Sequence, residues 1–168
     1  MPIEFIHLRV HSEYSLRDST IRIPEKPDYG DPAKAKHANL VSRAVELGMP
    51  ALALTDDSNL FAQIKFYRAA EKAGVKPIVG CDVWIANPED AARPDRLTLL
   101  CRDRSGYLSL SRLISRGWLE GQHAGRAQLQ ASWLEHATEG LFAIAGRDSA
   151  CGRLADAGRE RDAQANLD

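Results

Sequence analysis

The chain has 168 residues, of which 44% are hydrophobic and 27% charged, as in one ordinary globular domain. Its 22 basic and 23 acidic side chains give a net charge of -1. This balance excludes a general electrostatic attraction to a phosphate backbone, so any contact with nucleic acid would have to be local.

Cysteine usage and hydropathy indicate where the protein works. Cys81, Cys101 and Cys151 are odd in number, far apart and without a Cys-x-x-Cys pair, which argues against a disulfide framework and a zinc knuckle. The N-terminus lacks a basic segment followed by an apolar stretch, and no apolar run is long enough to span a bilayer. We therefore expect a cytoplasmic protein with no membrane association.

The first predicted element is a strand from Ile3 to Val10. The two-residue period of a strand places His7, Arg9 and His11 on one face. From Ser12 the pattern breaks, and three prolines and a glycine indicate an irregular surface loop, an insertion over residues 19–36.

Two helices and a strand are predicted next. Asp31 and Pro32 have the pattern of an N-cap followed by proline at the first helical position, and Gly48 ends that helix. The uninterrupted apolar run from Ala51 to Thr55 is typical of a central parallel strand. Ser58 or Asn59 can cap the second helix, which ends at Gly74 and has an apolar face formed by Leu60, Phe61, Ile64 and Tyr67.

The rest of the chain continues the alternation of strands and helices. We predict strands over Pro77–Ile85, Leu97–Cys101 and Leu141–Ala145, and a helix over Ser105–Gly117. This order predicts an α/β fold with a parallel sheet or barrel and outer helices. The C-terminal stretch 152–168 has almost no large apolar residue and is expected to be weakly structured or to form at most one exposed, truncated helix.

Polar groups lie at or near the ends of four of these strands, towards the edge where active sites of parallel α/β folds gather. They are Arg9 with His11, Asp56 with Asp57, Cys81 with Asp82, and Gly146 with Arg147.

The segment from His7 to Leu16, followed by Asp18, resembles the opening motif of the polymerase and histidinol phosphatase (PHP) domain that begins bacterial replicative DNA polymerase III alpha subunits. Further motifs follow in the same order as in that family: Gly48 to Asp56, Asn59-Leu60, Lys65 to Tyr67, Lys76 to Gly80, Leu97 to Leu100, Gly106-Tyr107 and Glu139 to Leu141. The resemblance implies a PHP-type (β/α) barrel-like domain. It also implies that residues 1–168 are the N-terminal part of that domain, incomplete at the C-terminus.

Active members of this family bind a cluster of divalent metals. Carried over position by position, the ligand sites fall on Arg9, His11, Asp18, Asp57, Asp82, Arg96 and Arg147. Three positions are arginines, and a guanidinium stays protonated, offers no lone pair and repels a cation. Only His11, Asp18, Asp82 and possibly Asp57 remain as ligands for zinc, manganese or magnesium, so we expect no catalytic residue and no cofactor. We hypothesise instead that the arginines pair with Asp18, Asp57 and Asp82.

Simpler interpretations exist for the same residues. His11 at a strand end could be a hydrogen-bonded structural residue or a metal ligand. Asp57 could be no more than a cap of the following helix instead of a retained ligand. His7 and Asp56 are interpreted as structural, and the three cysteines are given no role.

The resemblance implies a non-catalytic module of a replicative polymerase that acts in DNA replication. In that family the domain supports the polymerase core and, in proteobacterial members, docks the proofreading exonuclease subunit. The implied partners are that subunit and the rest of the polymerase III holoenzyme, and DNA is contacted through the full-length protein. The first alternative is an active metal-dependent phosphoesterase or 3'-5' exonuclease that holds ions with His11, Asp18, Asp57 and Asp82. The second is another PHP protein, such as the error-prone polymerase paralogue or a free-standing phosphatase.

Overall fold

The computed structural model describes residues 5–23, 39–135 and 137–165. The chain divides into two compact units, Met1–Gly80 (unit 1) and Cys81–Asp168 (unit 2). None of the helices in the described part of the chain has the length and apolarity needed to cross a membrane.

Unit 1 is built around a parallel strand pair. Strand β1 (Ala51–Leu54) pairs with the first half of β2 (Lys76–Ile85), so that Ala51 lies opposite Lys76 and Leu54 opposite Val79. Every residue of β1 is buried, as expected for a strand covered on both faces. Helices α1 (Leu40–Glu46) and α2 (Gln63–Lys72) supply the rest of the core. The core includes Leu52 and Leu54 of β1 and Phe66, Ala69 and Ala70 of α2.

The N-terminal segment runs beside β1 but is not a regular strand between Phe5 and Val10, so this prediction was wrong for the described residues. The amide of Ala53 donates to the carbonyl of His7 at 2.9 Å, and the amide of Thr55 donates to that of Val10 at 2.8 Å. The two donor residues are two positions apart in the sequence, whereas the two acceptor residues are three positions apart. One extra residue of the N-terminal segment therefore interrupts the hydrogen-bond ladder, as in a β-bulge.

Both predicted helix starts in unit 1 need correction. Helix α1 begins at Leu40, because Asn39 forms a capping box with Ser42, and the predicted cap Asp31 lies outside the described residues. Helix α2 begins only at Gln63, since Asn59 uses its side chain to accept from the amide of Phe61 in a turn before the helix. Of the predicted insertion loop, residues 19–23 have no regular element and residues 24–36 lie outside the described part.

The apolar face predicted for α2 does not face the core. Phe61, Ile64 and Tyr67 are exposed, whereas Phe66, Ala69 and Ala70 face the core of unit 1 together with Ala62. The helix therefore has apolar residues on two sides, and the side with the small alanines is the buried one.

Unit 2 contains a mixed sheet in the order β4-β5-β2-β3-β6. Its described elements are the second half of β2, β3 (Asp95–Cys101), α3 (Arg104–Glu120), β4 (Gln122–His123), β5 (Arg126–Leu129), α4 (Ala131–Leu134), β6 (Leu141–Ala145), α5 (Ala150–Asp156) and α6 (Glu160–Ala165). The α/β class is confirmed. The expectation of a parallel sheet is not, because β5 runs parallel to β2 whereas β6 runs antiparallel to β3.

The C-terminal stretch contains two short helices where the sequence predicted at most one. Ser149 caps α5 by accepting from the amide of Gly152, and in α6 the small side chain of Ala163 is buried. A serine cap and one buried alanine are enough for short helices that a search for large apolar residues misses.

Candidate functional site

Three of the proposed metal-site positions lie together in unit 1. Arg9, His11 and Asp18 line a pocket of about 520 Å³ whose floor includes Met49 and Leu52. His11 Nδ1 lies 3.6 Å from Asp18 Oδ2. The hydroxyl of Ser19 donates to the carbonyl of His11 at 2.8 Å, which holds the backbone of this turn. This pocket therefore brings one imidazole, one carboxylate and one guanidinium to a common surface.

Asp56, at the end of β1, organises the loop that follows the N-terminal segment. It is 1% exposed. Its carboxylate accepts hydrogen bonds from the amide of Ser12 at 2.6 Å and from the hydroxyls of Ser12 at 2.6 Å and Ser15 at 2.7 Å. A buried carboxylate is stabilised by several such donors, so Asp56 has the structural role that the sequence indicated.

Asp57 takes part in the same loop. Its amide donates to the hydroxyl of Ser15 at 3.0 Å, and its carboxylate accepts from the hydroxyl of Ser58 at 2.9 Å. Asp57 does not cap helix α2, because that helix begins six residues later, at Gln63.

In unit 2, Asp82 and Arg96 form a buried ion pair. Arg96 Nη2 lies 2.9 Å from Asp82 Oδ2, and the two side chains are 14% and 0% exposed. The hydroxyl of Thr98 donates to the other carboxylate oxygen of Asp82. Both oxygens of this carboxylate are thus engaged by protein donors.

The neighbouring strands explain this arrangement. Asp82 and Trp84 are two residues apart on β2, and Arg96 and Thr98 are two apart on β3, so each pair shares one face of its strand. The guanidinium of Arg96 lies 5.0 Å from the centre of the Trp84 ring, and that of Arg126 lies 4.2 Å from it. These stacking contacts hold both guanidinium groups against the ring.

Of the pairings hypothesised for the three arginines, the Arg96–Asp82 pair is present. Arg147 differs from the hypothesis: its Nη2 lies 3.0 Å from Asp156 Oδ2, and its side chain is 81% exposed. The reason is the helix α5, which places Asp156 within reach of Arg147, and the sequence had not predicted that helix as an ordered element.

The chemistry of the available donors is a poor fit to the metal cluster of active PHP domains. Unit 1 has His11, Asp18 and Asp57 at the proposed positions, and unit 2 has Asp82, whose oxygens are held by Arg96 and Thr98. Among the described residues no group of three His, Cys, Asp or Glu is arranged to hold a metal. Zinc in proteins usually has about four N, O or S ligands.

Thr98, Ser12 and Ser15 were not identified from the sequence. Thr98 could have been found, because it lies two residues after Arg96 and so shares its strand face. The two serines bind Asp56 across more than 40 positions of the sequence, and no local pattern signals such a contact.

The thiol of Cys101 is half-buried. Burial, reinforced by the negative charge of Asp103, raises the pKa of its thiol to about 11. The thiolate is the nucleophilic form, so this cysteine is chemically quiet near neutral pH.

Comparison with known proteins identifies the family. A family model for the PHP domain matches residues 7–167. A DNA polymerase III subunit alpha from Xylella fastidiosa is 56% identical over 164 residues, which are 97% of this chain and 14% of that protein. The protein of the same name from Pseudomonas aeruginosa is 40% identical over 168 residues, 99% of this chain and 13% of that protein.

A solved amidohydrolase from Chromobacterium violaceum is 18% identical, with a TM-score of 0.43 and coverage of 96% of this chain and 53% of that one. The chain spans about one seventh of the length of the curated relatives named above, and it is similar to their N-terminal region. Because the family model covers nearly all of the chain in both units, the chain belongs to the PHP domain family.

Proposed function

We propose that this chain is the N-terminal PHP module of a replicative DNA polymerase III alpha subunit, and that it supports the polymerase and docks the proofreading exonuclease subunit. The identity of 56% to an alpha subunit over 97% of the chain supports the first part. Because the chain corresponds to about 14% of that relative, DNA synthesis is proposed only for the longer protein.

We further propose that this PHP module has largely lost its metal site. The buried Arg96–Asp82 pair is the observation that carries this proposal. A guanidinium cannot ligate a metal, and its fixed positive charge beside Asp82 opposes the approach of a divalent cation. In this proposal Arg96 replaces the charge of a lost ion, and the carboxylate that once bound metal now braces two strands of unit 2.

Elemental analysis tests metal loss. The purified chain, dialysed and then exposed to zinc or manganese, is expected to hold well under one equivalent by mass spectrometry. Two alanine variants separate a site from surface binding: His11→Ala removes a pocket residue, and His123→Ala removes an exposed histidine of β4 as a matched control. Stoichiometric metal that is lost in His11→Ala and kept in His123→Ala would refute the proposal.

One observation favours the alternative of an active phosphoesterase or exonuclease. His11 and Asp18 lie 3.6 Å apart at a pocket, which is a geometry that a single bound ion could exploit. Release of phosphate or nucleotide by the purified chain, abolished by chelator and by His11→Ala, would establish this alternative.

The docking part of the proposal has a separate test. The purified chain and the proofreading exonuclease subunit are expected to co-elute in size-exclusion chromatography, with or without chelator. Failure to co-elute at high micromolar concentration would contradict docking and leave the question of metal loss unaffected.

A further inference from the structure

Helix α2 of unit 1 carries an apolar surface that the core does not use. Its buried side includes Phe66, Ala69 and Ala70. On the other side Ile64 is 66% exposed and Tyr67 45%, and Phe61, in the turn just before the helix, is 73% exposed. Single exposed apolar residues are ordinary, but three large ones within seven residues form a patch, and patches of this kind mark interaction sites.

Positive charge continues this patch along the helix. Ile64, Arg68 and Lys72 are spaced four residues apart and therefore follow one line on the helix surface. The exposed side has two basic side chains, Arg68 and Lys72, against one acidic, Glu71, and the half-buried Lys65 adds a third positive charge nearby. The chain as a whole has a net charge of -1, so this surface is locally positive.

The patch is held in place by neighbouring side chains. The rings of Phe61 and Tyr14 meet edge to face, with centroids 6.2 Å apart. Lys65 Nζ lies 2.9 Å from the hydroxyl of Tyr14 and 5.3 Å from the centre of its ring. A surface that is already ordered loses less conformational entropy when a partner binds.

We infer that this α2 face, formed by Phe61, Ile64, Tyr67, Arg68 and Lys72, docks a protein segment that presents apolar side chains next to carboxylates. The apolar part matches Phe61 and Ile64, and the acidic part matches Arg68 and Lys72. A phosphate backbone would neutralise the basic residues and leave the apolar ones in water, so a protein partner fits better. This inference rests on the proposed docking function, in which the exonuclease subunit is the partner.

Charge and shape changes on the α2 face test the inference. Ile64→Asp and Arg68→Glu each place a carboxylate where the partner is expected to be apolar or acidic. Each is expected to weaken binding of the purified exonuclease subunit at least about tenfold in calorimetry, as for residues central to an interface. Raising the salt concentration is expected to weaken the wild-type complex as well.

The matched controls lie on α3. Leu119→Asp and Arg112→Glu make the same kinds of change at exposed positions of unit 2, and Leu119 is 84% exposed. They are expected to bind like the wild type, and circular dichroism of all four variants establishes that each is folded.

The possible results separate this inference from the proposed function. Binding that is unchanged in both α2 variants would overturn the α2 face and leave exonuclease docking intact. A wild-type chain that does not bind the exonuclease subunit would overturn both. The wild type could instead bind single-stranded DNA or anionic lipid vesicles, or form a dimer. If only the α2 variants lost that interaction, the α2 face would have a different partner and the inference would be overturned.

Discussion

Replacing Arg96 by methionine tests whether the buried ion pair stabilises unit 2. The change keeps an apolar stem of similar length but removes the guanidinium that lies 2.9 Å from Asp82. Asp82 is 0% exposed, so its carboxylate would be left in the interior with the hydroxyl of Thr98 as a remaining donor. Removing one partner of a buried pair typically costs about 3–5 kcal/mol, because the other charge loses its compensation.

This cost predicts a clear change in thermal stability. For a chain of this length each kcal/mol shifts the melting temperature by about 2–4 °C, so Arg96→Met is expected to lower it by roughly 6–20 °C. Trp84, Trp118 and Trp133 all belong to unit 2, and their fluorescence therefore follows the unfolding of that unit. Urea titrations read by this fluorescence measure the free energy of unfolding.

Two further variants make the test decisive. Arg93→Met removes an arginine that is exposed and 3.8 Å from Asp90, and it is expected to change stability by less than about 0.5 kcal/mol. Adding Asp82→Asn to Arg96→Met removes both charges and is expected to recover much of the loss. If Arg96→Met is as stable as Arg93→Met, or if the double variant is no better than the single one, the ion pair is not a brace.

Four other changes have expected outcomes. Asp56→Asn replaces a buried carboxylate that accepts hydrogen bonds from Ser12 and Ser15, and it is expected to cost about 1–3 kcal/mol in chemical denaturation. Gly106→Ala is expected to cost about 1–3 kcal/mol in the same assay, because the new methyl would overlap the carbonyl oxygen of Gly140. Alkylation of Cys101 by iodoacetamide, followed by mass spectrometry, is expected to be slow in the folded protein at mildly alkaline pH and fast in urea, since its pKa is about 11; equal rates would contradict this. Hydrogen bonds from the Ser105 hydroxyl, the Gly106 amide and Arg102 lower the pKa of Asp103 from 3.8 to about 2, so the stabilisation it provides is present above 3.8 and lost as the pH falls towards 2. Asp103→Asn is therefore expected to be less stable than the wild type at neutral pH, with a difference that shrinks as the pH falls through about 2, and a constant difference would contradict this.

Local patterns in the sequence predicted most of the regular elements. The apolar runs of β1, β2, β3 and β6 and the helical period of α3 were found within two or three residues of their observed ends. These signals are reliable because a buried strand or an amphipathic helix needs apolar residues at a fixed spacing along the chain itself. The motif words that identified the family are equally local, and they were confirmed by the match over residues 7–167.

Partners distant in the sequence were decided only by the tertiary structure. The helical period of α2 does not determine which of its two apolar stripes faces the core. In the folded chain the buried stripe is the one with Ala69 and Ala70, whose small side chains let the helix lie close to the core. The sequence placed Asp82 within one predicted strand and Arg96 just before the next. Strand pairing brought their charges to 2.9 Å, and a helix that was not predicted as an ordered element places Asp156 within reach of Arg147. Residue types and their spacing follow from the chain alone, whereas the contacts of a charged side chain depend on which elements lie beside it once the chain is folded.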